Sequence, residues 1–157
     1  MAEAAALADK LKSEGEKTSA FFGRLTGKEW ETEVYTEGST WTIRSILAHL
    51  MTAERAFVRM FEDIRRGGVG VSDDFVIDRY NARQQEKTAS FSPAELLEQY
   101  RGIRAEMVMW VAGLDDAELE RTGRHPFLGL TTLREMIKMI YIHNQTHYRD
   151  IRRVLKH

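Results

Sequence analysis

At 157 residues, 43% hydrophobic and 30% charged, the chain has room for one domain (1–157) with a buried core. Its 23 basic and 24 acidic residues give a formal net charge of -1, so no global field draws it to nucleic acid or to an anionic membrane. It has no cysteine, which excludes disulfides, thiolate metal sites and cysteine nucleophiles together.

The first stretch, MAEAAALADKLKSEGEK, is charged and lacks the apolar centre of a signal peptide. With no apolar run of membrane-spanning length, the expectation is a cytoplasmic protein that does not engage membranes. From about Ala2 to Leu25, the residues Leu7, Leu11, Phe21, Phe22 and Leu25 make a helical stripe, interrupted by Gly15 and a run of charges.

A second helix is expected after Ser39 or Thr40, either of which can cap free backbone N–H groups. Its stripe is Ile43, Ile46, Leu47, Leu50, Ala53, Phe57, Phe61 and Ile64. Arg65 and Arg66 suit the negative end of the dipole, and Gly67–Gly68 stops the helix. The connection from Val69 to Phe91 allows a short helix from about Phe75 to Lys87.

Ser92-Pro93-Ala94-Glu95 reads as a capping box with proline at the first helical position. Leu96, Tyr100, Ile103, Met107, Trp110, Val111 and Leu114 continue that helix. After a polar connection, Thr132-Leu133-Arg134-Glu135 reads as a second capping box. Leu133, Met136, Ile137, Ile140, His143, His147, Ile151 and Val154 follow on one face. No segment reads as a strand; Glu33-Val34-Tyr35-Thr36 is too short and isolated. The two prolines leave long helices unbroken. The expected fold is all-α, a four-helix bundle with a decorated connection between the second and third long helices.

Five histidines punctuate this pattern. His157 is terminal, and His125, before Pro126 in a loop, reads as a surface residue. His143 and His147 are spaced i, i+4, which puts two imidazoles one turn apart on a helix face. That face is the apolar one, and His49 lies among Ile46, Leu50 and Ala53 in the same way. One such histidine alone would more often bond locally, but three buried imidazoles without partners are costly. Together they point to a divalent metal site. Neutral imidazole suits zinc, nickel, iron, manganese or copper. Three protein ligands leave a position for water, an external thiol or substrate, and Glu54, Asp78 and Asp150 are candidates for a fourth ligand or a supporting role.

Trp41 either borders a pocket or packs where the helix begins. Tyr80 and Asn81 either line the mouth of the site or serve the loop. Arg149 could clamp a substrate carboxylate, although a solvated charge suits Arg149, Arg152, Arg153 and Lys156 at a helix end. That cluster lacks the interleaved aromatics of a nucleic-acid platform. Position 144 is Asn, so there is no H-E-x-x-H motif.

Trp41-Thr42-Ile43-Arg44-Ser45-Ile46-Leu47-Ala48-His49 resembles the opening of the second helix in the DinB-like superfamily. Ile142-His143-Asn144-Gln145-Thr146-His147 resembles its last-helix signature, and Asp78-Arg79-Tyr80-Asn81 its intervening segment. The resemblance implies a DinB/YfiT-type bundle, frequently a homodimer. It also implies nickel or zinc on three histidines, at positions matching His49, His143 and His147. Some relatives are thiol-dependent transferases, so a low-molecular-weight thiol cosubstrate and a small-molecule substrate are implied; hydrolysis is the other enzymatic reading. A non-catalytic metal or ligand-binding protein and a dimeric interaction module remain alternatives.

Overall fold

The computed structural model describes residues 2–156, so His157 lies outside the described residues. Four long helices carry the fold: α1 (Ala2–Gly23), α2 (Ile43–Arg65), α4 (Pro93–Ala112) and α5 (Leu133–Leu155). The short helix α3 (Ile77–Lys87) decorates the connection between α2 and α4, where the sequence places it. The fold is all-α in class as expected, and it carries two short antiparallel hairpins where no strand was expected: β1 (Glu33–Tyr35) with β2 (Trp41–Thr42), and β3 (Thr122–His125) with β4 (Gly129–Thr132). Strands of two to four residues are too short for alternation to register in the sequence.

The hairpins have a topological job. α1 packs on α4 and α5, and α2 packs on the same two helices. Sequential α1 and α2 are therefore diagonal, as are α4 and α5. Each diagonal crossing carries one hairpin, whereas α2 and α4 are direct neighbours. This order explains connections longer than an up-and-down bundle requires.

The helix starts follow local chemistry. Thr42, rather than Ser39 or Thr40, caps α2, because β2 keeps the chain extended through Trp41. The Thr42 hydroxyl accepts from the Ser45 N–H, and the Ser45 hydroxyl accepts from the Thr42 N–H at 3.2 Å. Ser92 and Glu95 form the expected reciprocal box at α4. At α5 the Thr132 hydroxyl accepts from the Glu135 N–H at 3.3 Å. Each such cap is worth about 1 kcal/mol. Val154, expected on the core face of α5, is 38% exposed.

The apolar core forms two clusters. One joins Leu7, Leu11, Phe57, Phe61, Met107, Val111, Met136 and Ile140; the other joins Phe22, Ile43, Leu47, Leu96, Tyr100 and Ile151. Between them runs a buried polar layer. Arg104 on α4 donates to both oxygens of Glu54 on α2, at 2.8 and 2.7 Å, and to the Leu11 carbonyl of α1 at 2.9 Å. Asn144 on α5 donates to Glu54 at 3.3 Å and to the Ile140 carbonyl at 2.9 Å. Its oxygen accepts from the Tyr100 hydroxyl at 2.5 Å and from Arg104 at 3.2 Å. Gly15 belongs to this layer: a Cβ there would stand 2.7 Å from Arg104 Cγ. The glycine that weakens the α1 stripe makes room for the arginine stem.

Candidate metal centre

His49, His143 and His147 lie beside that polar layer, since Asn144 follows His143 on α5, and they face one another between α2 and α5. His49 Nε2 and His147 Nε2 each lie 3.0 Å from His143 Nε2. His49 is buried; the other two are half-buried. Burial is the main cause that depresses all three: His49 to about 3, His143 to about 2 and His147 to about 4. Neighbouring imidazoles add to this for His49 and His143, whereas the Asp150 charge opposes it for His147. Near neutral pH the three rings are uncharged and their nitrogens can act as ligands.

One tautomer follows from hydrogen bonding. The Tyr35 hydroxyl donates to Asp150 Oδ2 at 2.5 Å and lies 2.9 Å from His147 Nδ1. Its single proton is committed to the carboxylate, so the His147 Nδ1–H donates to the phenol oxygen. The Nε2 lone pair then faces the other two histidines. A carboxylate–phenol–imidazole chain thus orients a ligand and raises its basicity. Burial, then Asp150, raises the Tyr35 pKa, which keeps the phenol protonated in this role.

The three proposed supporting carboxylates have different fates. Asp150 acts through Tyr35. Glu54 is taken up by Arg104 and Asn144. Asp78 is exposed at the start of α3. Among the described residues, the histidine cluster contains no carboxylate. Its three nitrogens, gathered within 4.8 Å of one another, suit a divalent cation as a common partner, and the group could hold one.

Trp41 is half-buried in the second core cluster, yet its ring also lies 5.0 Å from that of His49. Tyr80 and Asn81 do line a pocket beside His49 and His143. Arg149 lines a separate groove with Gln145, Tyr148, Arg152 and Arg153, so it is not a clamp for a substrate in that pocket. His125 corrects its sequence reading outright. It is 1% exposed and stacked on Phe57 at 5.1 Å. Its Nδ1 accepts from the Phe127 and Leu128 N–H groups, and its Nε2 has no hydrogen-bond partner among the described residues.

The sequence profile of the DinB superfamily matches residues 10–151. The chain belongs to the DinB superfamily. Among solved structures it is similar to YfiT from Bacillus subtilis, described as "a probable metal-dependent hydrolase with an unusual four-helix bundle topology". The TM-score is 0.74 and the identity 19%, over 95% of this chain and 86% of that one. At this identity the likeness speaks for the fold. Comparison with curated protein sequences gave no match. Sequence reasoning missed Tyr35 altogether, because its link to His147 and Asp150 spans more than a hundred residues. It also passed over Asn144, noted only for what it is not.

Proposed function

We propose that this DinB-superfamily chain is a metal-dependent enzyme acting on a small molecule, with His49, His143 and His147 holding one divalent ion, zinc or nickel. The observation that carries this reading is the convergence of three neutral imidazole Nε2 atoms, one of them oriented by Tyr35 and Asp150. Hydrolysis is the favoured reaction type, in keeping with the description given for YfiT. A bound divalent ion supplies a Lewis acid and lowers the pKa of a coordinated water, or of a low-molecular-weight thiol in the same role. The chain's own residues hold the rest of the arrangement. Tyr35 and Asp150 keep the proton of His147 on Nδ1, and the bundle excludes water behind His49.

Metal analysis tests this on protein purified without a metal-affinity tag. The expected content is about one ion per chain, as a single three-ligand site requires. The His143→Ala, His147→Ala double variant should lose it while remaining helical. Substoichiometric metal in the wild type, unchanged in the double variant, would sink the proposal.

A further inference from the structure

A pocket of about 100 Å³ lies against the His49–His143 side of the cluster. Its floor is the α2 stripe that continues from His49 through Ala53, Phe57 and Met60. Phe75 and α3 cover it, and Phe127 at the tip of the β3–β4 hairpin closes one side. Helical spacing on α2 makes this floor continuous with the metal centre, because each lining residue sits one turn beyond the last.

We propose that this pocket binds a small uncharged molecule with an aromatic or branched apolar body, its polar reacting group turned toward His49 and His143. The proposal rests on the reading of the histidines as a metal centre for the direction in which the ligand points. Its chemical class rests on the pocket alone. No Lys, Arg, Asp or Glu lines the pocket; beyond the two imidazoles its polar residues are Tyr80 and Asn81. Apart from an ion held by the histidines, nothing charged lines the walls, so an ionised body seated along them would surrender its hydration unmet. An apolar body is favoured by the aromatic and aliphatic walls, which offer dispersion contacts and ring stacking. Size sets the upper limit. An apolar cavity of ~150 Å³ takes benzene, so about 100 Å³ with an opening to the outside limits the buried body to no more than one ring or a short branched chain, with the remainder at the mouth.

The test titrates benzyl alcohol, benzylammonium and benzoate, followed by ligand-observed NMR, into the full chain before and after chelation of its metal. Benzoate is read on the chelated chain, because a carboxylate can coordinate an ion directly. Benzyl alcohol should bind saturably and at least tenfold more tightly than either ion. Ala56→Trp, which fills the pocket, should abolish binding without changing metal content. Phe75→Arg, on the partly exposed cover, should reverse the preference toward benzoate. Absent benzyl alcohol binding, equal binding of the ions, binding that survives in folded Ala56→Trp, or an unchanged preference in folded Phe75→Arg overturns the proposal. Failure of the metal reading shows separately, as missing metal in a chain that still binds the neutral probe.

Discussion

Replacing Glu54 by leucine leaves Arg104, 5% exposed, without its hydrogen-bonded carboxylate and with Glu14 as the remaining acidic charge acting on it. The guanidinium loses two hydrogen bonds of 2.8 and 2.7 Å and keeps only the Leu11 and Asn144 oxygens. Removing one partner of a buried pair costs about 3–5 kcal/mol, because the survivor keeps its desolvation penalty. For a domain of this size that shifts Tm downward by roughly 6–20 °C, at about 2–4 °C per kcal/mol. Arg104→Met should cost a similar amount, since it leaves the Glu54 carboxylate with only Asn144 at 3.3 Å. The Glu54→Leu, Arg104→Met double variant removes both charges and should be more stable than either single variant. The coupling energy from such a cycle is expected at about 2 kcal/mol or more. Urea denaturation of all four proteins at pH 7 measures it. Singles that each cost under about 1 kcal/mol, or costs that simply add in the double variant, refute the idea of a buried, mutually dependent pair.

Tyr35→Phe keeps the ring beside Trp41 but removes the oxygen that accepts from His147, so metal affinity should fall roughly 10–100-fold in a chelator competition with little loss of helicity. An unchanged affinity would show that Tyr35 does not orient the ligand. His125 gives a pH dependence of known sign. Burial lowers its pKa from 6.5 to about 4, so between those values the unfolded chain binds a proton that the folded chain does not. Stability is therefore lost as pH falls from about 6.5 toward 4, and at pH 5 His125 accounts for about 2 kcal/mol of loss. The wild type should lose that much more than His125→Gln between pH 7 and pH 5, and parallel pH profiles would contradict it. In hydrogen exchange, the amides of α3, which buries only Gln84, should exchange much faster than those at the centres of α2 and α5. Equal protection would mean that α3 opens only with the whole fold.

The long helices were legible because each buries a continuous stripe, and the caps at Ser92 and Thr132 mark two starts in four residues apiece. The two-strand hairpins were not, since strands this short owe their pairing to the diagonal crossings they bridge. The metal ligands were legible for a local reason and a global one. His143 and His147 share a face by spacing alone, while His49 needed its apolar neighbours to show that it points inward. Tyr35 had no such signal: a lone tyrosine in an exposed-looking segment gains its role only from a partner on α5. His125 looked like a loop residue because the stacking on Phe57 that buries it is a contact with a distant helix.

The adjacency of the polar layer and the histidines along α5 has a mechanical consequence. An all-apolar seam tolerates a slide of α2 along α5 at modest cost, because aliphatic contacts can be re-made. A bidentate Arg104–Glu54 pair cannot be re-made one turn away, and Asn144, the residue after His143, reads the same carboxylate. We infer that the layer fixes the register that holds three Nε2 atoms within 4.8 Å of one another, a precision that packing alone supplies poorly. The Glu54→Leu, Arg104→Met variant separates this role from stability. With its charges gone it should keep much of its resistance to urea, yet bind metal at least tenfold more weakly in a chelator competition than the wild type. If it binds as tightly, the register is set by the apolar clusters, and the buried ion pair has no part in shaping the centre.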